Sequence, residues 1–425
     1  MSKRIVPRLS VMMFLQYAVW GAWLPLAARF LGSSPENGGL GFDGYQIGMI
    51  LGLAGSIGAV AAPFIAGQIA DRYFRTEHCL AVLLIAGGII KWITAEQTSF
   101  GAWLILSIAY SVVYMPTLAL SNSLAFTHLA DRDRQFPQVR LWGTIGWAVS
   151  GWVFSLAWLK QELGFTIMPP FLDGPDVPAA TARIVDSLKF CALASFGYAV
   201  YCLTLPATAP KREGVEPLAF AKAFRLFRHP SFAVLVGASL LVSVIHQIYF
   251  LQASPFLASI GVQESNIAPA MTIGQLSEIV VMVALGWMLK GLGFRKVIFL
   301  GALAYFGRYL IWSATGLPKE ILVASQALHG VCYACFFAAA YIYVDRIAST
   351  DVRHSAQTVF GILILGGGPV IGGYLSGFLQ ETFQADGGAL DFGSFWMTLS
   401  MLGLATAVLV LVFFRDETGD RLAAR

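Results

Sequence analysis

Apolar runs of about twenty residues, separated by short polar loops, recur from one end of this 425-residue chain to the other. A run of 18 or more apolar residues is long enough to cross a bilayer as a helix. Inside lipid such a segment must satisfy its own backbone hydrogen bonds, and a helix does so. The expected fold class is therefore all-α and membrane-embedded, a multi-pass protein whose solvent is the lipid bilayer. The runs lie near 9–31, 44–70, 78–95, 100–126, 137–160, 187–206, 231–258, 268–290, 294–314, 319–344, 354–380 and 391–414. Twelve transmembrane helices follow. Charged residues make up 12% of the chain, about half the share of a soluble domain. The first run, Leu9 to Leu31, is too long for the apolar core of a cleaved leader and reads as the first span.

Lys and Arg orient the helices. Most of the 28 fall in tails and loops on the N-terminal side, among them Lys3, Arg4, Arg72, Arg75, Arg132, Arg134, Lys211, Arg212, Lys290, Arg295, Arg353 and Arg415. The opposite loops hold Lys160, Arg183, Lys189 and Lys319, so both termini are expected in the cytoplasm. The basic stretch PATAPKREGVEPLAFAKAFRLFRHP, from Pro206 to Pro230, divides the chain into two sets of six helices. The expected domains are residues 1–206, a linker 207–230, and residues 231–425. A weak repeat supports the division: GQIADRYFR from Gly67 follows the second helix, and GWMLKGLGFRK from Gly286 follows the eighth. Parallel repeats of this kind occur in transporters.

Several classes are excluded. A net charge of +4 spread over short loops gives no nucleic-acid surface. The five cysteines are odd in number and mostly intrahelical, so they form no disulfide framework, and Cys332 and Cys335 read as small packing residues. GILILGGGPVIGGYLSGF from Gly361 is a close-packing helix kinked at Pro369, not a phosphate loop, because no Lys-Ser/Thr follows it. No cluster of His, Asp or Ser marks an enzyme, and no cofactor or metal is expected.

The informative residues are the polar ones inside spans. In TIGQLSEIVVMVALGW, from Thr272, Glu278 would cost at least a few kcal/mol if left charged and unpartnered in lipid, so it reads as functional. A carboxylate can hold a proton there, and it can accept two hydroxyl donors at once, as a vicinal diol offers. Arg140, a turn inside the fifth helix, offers a planar fork for a carbonyl or carboxylate. Gln247 carries both donors and acceptors for a polar solute. Trp147, Tyr333, Phe336 and Phe337 are candidates for stacking on a planar solute. His246 and His329 read as packing histidines, with proton carriage as their other reading. Arg308 reads as one half of a structural ion pair.

The G-x-x-x-D-R-x-x-R stretch from Gly67 to Arg75 resembles the signature of the major facilitator superfamily. FLQYAVWGAWL at Phe14, YMPTLALSNS at Tyr114, FPQVRLWGTIGW at Phe136, SEIVV at Ser277 and RHSAQTVF at Arg353 resemble the nucleoside–proton symporters within it. The resemblance implies two pseudo-symmetric six-helix bundles around a central cavity, working by alternating access as a monomer. It also implies import of a nucleoside with a proton. Carried over residue by residue, it assigns substrate contacts to Arg140, Thr144, Trp147, Gln247, Gln275 and Glu278, and makes Glu278 the proton-coupling candidate. Two positions depart from the family pattern: Ala334 stands where the family has an aspartate, and Phe250 where it has an asparagine. With Ala334 in that place, the runner-up reading is an uncoupled facilitator, or a carrier of another polyhydroxylated solute such as a sugar.

Overall fold

The computed structural model describes residues 5–65, 74–209, 227, 230–348, 353–385 and 389–417. Twelve helices run through the described residues. They are α1 (Ile5–Gly32, with a break after Gly21), α2 (Gly44–Pro63), α3 (Thr76–Ala95), α4 (Phe100–His128), α5 (Arg132–Phe154) and α6 (Ala180–Cys202). The second set is α7 (Pro230–Ser259), α8 and α9 (the two limbs of Glu264–Ser313), α10 (Lys319–Ile347), α11 (Val359–Thr382) and α12 (Phe392–Phe413). Helix α8 passes into α9 without an intervening loop, and the turn is made at Gly293, whose φ of 75° an L side chain would adopt only with strain. Helix α5 has the length of a span but too many polar residues to qualify on hydropathy alone. A short hairpin, β1 (Gly164–Phe165) with β2 (Leu172–Asp173), lies between α5 and α6.

Local chemistry sets where several helices begin. Asp43 and Gln46 form a capping box at α2, each side chain bonding the other's backbone N–H at 2.8 and 3.1 Å. Asp131 accepts from Arg134 N at 3.1 Å, so α5 starts five residues before the apolar run suggests. Asp391 caps α12 through Ser394 N at 3.2 Å. Among the described residues, π-helical turns form at Met49–Leu53 in α2, Ser155–Leu159 after α5, Cys332–Ala338 in α10 and Leu363–Gly367 in α11. Such turns are rare and gather at functional sites. In α11 the π turn directly precedes the proline expected to kink it.

By packing, the chain divides into two compact units, Met1–Val215 with Leu251–Pro269, and Glu216–Phe250 with Ala270–Arg425. In the first unit α1 meets α5 through glycines. A Cβ on Gly21 would stand 2.5 Å from the Trp147 carbonyl, and one on Gly146 would strike the carbonyl of Phe14. Buried Gln16 knits α1 to α4 and α6, donating to Thr117 Oγ1 at 2.8 Å and accepting from Tyr198 OH at 3.1 Å. Residues 263–266 join this unit by polar contacts. Arg29 pairs with Glu264 at 2.6 Å, Lys160 donates to Gln263 at 2.8 Å, and Ser265 donates to Asp176. In the second unit Gly330 of α10 faces Ser277 and Glu278 of α8, and Gly301 of α9 faces Phe336 of α10.

Residues 67–73 of the superfamily signature at 67–75, and most of the linker 207–230, lie outside the described residues. The five cysteines are free thiols, Cys332 and Cys335 both buried. One expectation is corrected. Arg308 makes no structural ion pair: among the described residues no carboxylate lies within 4 Å of it. Its charge is met instead by aromatic faces and neutral acceptors, because the neighbouring helices offer rings at that depth.

Candidate functional site

Arg140, Thr144 and Trp147 follow one another at helical spacings of four and three, so they share a face of α5. That face abuts α1. The Arg140 guanidinium lies 4.1 Å from the centre of the Tyr17 ring, and Trp147 meets Trp20 edge-on at 5.6 Å. All three side chains are half-buried, accessible enough to meet a solute. Glycine at 143 makes room for the arrangement, since a Cβ there would fall 2.6 Å from the Tyr17 ring and 2.8 Å from an Arg140 nitrogen.

The candidates of the second unit cluster around α8 and α10. Gln275 and Glu278 lie three residues apart on one face of α8, and α8 is pressed against α10, where a Cβ on Gly330 would come within 2.5 Å of the Glu278 amide nitrogen. Gln275 is buried, and its Oε1 has no hydrogen-bond partner among the described residues. A buried acceptor left unmade costs about 1–3 kcal/mol, so this carbonyl oxygen calls for a donor. Glu278 is half-buried. Tyr333 and Phe337 both belong to the π turn of α10, with ring centres 5.8 Å apart, Tyr333 half-buried and Phe337 only 5% exposed. Phe336 is fully buried in the packing against α9 and offers no face to a solute. Gln247 is half-buried on α7, and Gly372 of α11 allows the close approach: a Cβ there would stand 2.9 Å from Gln247 Cβ.

Next to these residues lies a group that sequence reasoning set aside. His246 of α7 stacks on His329 of α10 at 5.3 Å and 18°. Its ring centre is 6.2 Å from Tyr333 and 5.3 Å from Phe337. Arg308, with 0% exposure, reaches His329 Nδ1 at 3.0 Å, donates to Gln326 Oε1, and lies 3.9 Å over the Tyr249 ring. In the first unit Lys91 of α3 is likewise caged, 3.2 Å from the Trp23 ring centre and 4.1 Å from that of Tyr110. The signal in the sequence was an isolated cation within an apolar run; the rings that hold it are distant in the chain.

Comparison with known proteins places these features in context. Residues 3–419 match the family model described as nucleoside H+ symporter. YegT of Escherichia coli strain K12 is 32% identical, covering 98% of this chain and 96% of that protein. The xanthosine permease of the same strain is 27% identical over 96% and 95% of the two chains. The crystal structure of the nucleoside transporter NupG superposes with a TM-score of 0.80 at 25% identity, covering 97% of this chain and 99% of that one. The helical architecture is thus that of the major facilitator superfamily, and the chain belongs to the nucleoside H+ symporter family.

Proposed function

We propose that this protein imports nucleosides across the bacterial inner membrane together with a proton, and that Glu278 serves both substrate and proton. Contacts to the nucleoside are assigned to Arg140, Thr144 and Trp147 on α5, and to Gln247, Gln275, Glu278, Tyr333 and Phe337 on α7, α8 and α10. Gln275 Oε1 carries the reading: it is a buried acceptor without a donor among the described residues, one turn from a carboxylate. Two neighbouring acceptors on one helix face suit the two hydroxyls of a ribose. The rings of Tyr333 and Phe337 supply apolar faces for a planar base.

The proton role follows from cost. A carboxylate in lipid is disfavoured when charged, so taking up a proton lowers the barrier for a carrier that must turn over in the membrane. Substrate hydroxyls and the proton meet at the same group, which couples their binding. Two six-helix halves, residues 1–206 and 231–425 joined by the 207–230 linker, would alternate access as a monomer with both termini in the cytoplasm. Uptake of uridine and adenosine into proteoliposomes, with and without an inward proton gradient, tests this reading. Accumulation that collapses with the gradient is expected; equilibration that ignores the gradient would leave transport without coupling.

A further inference from the structure

The cluster around Arg308 defines the hydrogen-bonding state of two imidazoles. A guanidinium only donates, so where Arg308 Nη1 meets His329 Nδ1 at 3.0 Å, the imidazole nitrogen accepts. The ring proton of His329 therefore sits on Nε2. Three residues earlier on the same helix, the hydroxyl of fully buried Tyr305 lies 2.8 Å from His246 Nδ1. That nitrogen is the one partner of the Tyr305 hydroxyl among the described residues. Were the hydroxyl to accept from an Nδ1–H instead, its own buried O–H would be left with no acceptor, so Tyr305 donates and Nδ1 of His246 accepts. Both rings are held by their Nδ1 atoms onto α9, and both carry the N–H on the opposite corner.

His329 is almost wholly buried at 2% exposure, but His246 is half-buried. Its ring lies among Phe250 at 5.2 Å, Phe337 at 5.3 Å and Tyr333 at 6.2 Å. Two of these are rings assigned above to the base. No carboxylate lies near enough to pair with either imidazole among the described residues, and the one charge in contact with the stack is that of Arg308.

We infer that His246 is a further substrate-contacting residue, presenting a single Nε2–H donor to the base and so selecting bases that offer a carbonyl over those that offer an amino group in its place. Tyr305, Arg308 and His329 act as positioning residues that fix this tautomer and the plane of the ring. The inference rests on the assignment of Tyr333 and Phe337 to the substrate. Inosine and adenosine probe the effect through one edge of the purine: at position 6 they differ by an oxygen acceptor against an amino donor, with the complementary change at N1. A site built to donate there rejects the amino form by leaving two donors facing each other.

The experiment is competition by inosine and adenosine for uptake in proteoliposomes, for the wild type and three variants. The wild type is expected to take inosine with a half-saturation concentration at least tenfold lower than adenosine, with similar maximal rates. His246→Phe, which keeps a ring but no donor, should bring the two within about threefold. His246→Gln, whose amide N–H reaches the place of Nε2, should keep the preference. Tyr305→Phe releases the tautomer and should narrow the preference through the half-saturation values alone. A preference unchanged in His246→Phe, or a wild type that prefers adenosine, overturns the inference while leaving nucleoside transport intact. A wild type that takes up no nucleoside overturns the parent reading, and this one with it.

Discussion

Gly330→Ala perturbs the α8–α10 contact that carries Glu278 by the addition of one methyl group. The new Cβ would stand 2.5 Å from the Glu278 amide nitrogen and closer still to the Ser277 hydroxyl. Ordinary contact begins near 3.4 Å, so the helices must separate locally by about 1 Å. The Ser277 hydroxyl, which donates to the Ala327 carbonyl, is displaced by the same movement. Overpacking of this kind costs about 1–3 kcal/mol, which a twelve-helix protein tolerates without unfolding. A misplacement of about 1 Å at a working group costs on the order of a hundredfold in rate. The expected result is a protein that elutes as a single species from detergent yet transports uridine at least tenfold more slowly. Gly237→Ala on α7, where a Cβ would meet nothing within 4 Å, is the control for an added methyl group in a helix. If Gly330→Ala transports like the wild type, the geometry around Glu278 is not what sets the rate.

Arg308→Lys keeps the charge but not the fork that serves His329 and Gln326 together; hydrogen bonds to charged groups contribute about 1.5–3 kcal/mol each, so the melting temperature in detergent should fall by several degrees, and an unchanged value would show that the cage does not depend on the guanidinium. The Ser394 hydroxyl and backbone N–H groups at the start of α12 hold the Asp391 carboxyl below the usual carboxylate range. A folded value below the unfolded one of about 3.9 means that this contribution is complete above roughly pH 4 and is lost as pH falls through the folded value. Asp391→Ala should therefore destabilise the protein at neutral pH by about 1 kcal/mol, with the gap to wild type closing in thermal melts below pH 4. Arg29 and Glu264 are partly screened, with side chains 27% and 12% exposed. Their coupling in a double-mutant cycle of Arg29→Gln and Glu264→Gln should be about 1 kcal/mol; strictly additive melting shifts would count against it.

Much of the architecture was legible because lipid leaves a chain few choices. The gap between the eighth and ninth runs, at 291–293, is where the structure turns on Gly293. Helix α5 was recoverable despite its polarity, since Arg140 and Thr144 fall on one face within FPQVRLWGTIGW. Glu278 stood out because a carboxylate within an apolar run demands a reason. What stayed hidden depends on contacts distant in the chain. Arg308 looked like half of an ion pair, but the groups that hold it come from positions 249, 326 and 329, whose convergence no periodicity encodes. His246 and His329 are 83 positions apart and looked like separate packing histidines; only the fold stacks them. The π turn at 332–338 was equally invisible, since it changes the phase of Tyr333 and Phe337 without changing composition. The docking of residues 263–266 onto the first unit joins Arg29 to a partner 235 positions away, beyond any local pattern.

The central claim is that the transported proton sits on Glu278. The direct measurement compares two modes of uridine uptake by Glu278→Gln in the same proteoliposomes. One is accumulation driven by an inward proton gradient; the other is counterflow, exchange of external labelled uridine for internal unlabelled uridine with no gradient. Glutamine keeps the shape and one acceptor of the side chain but holds no exchangeable acid proton. The account predicts that gradient-driven accumulation is lost while counterflow persists. Accumulation that still follows the proton gradient in Glu278→Gln would contradict it and move the proton to another group.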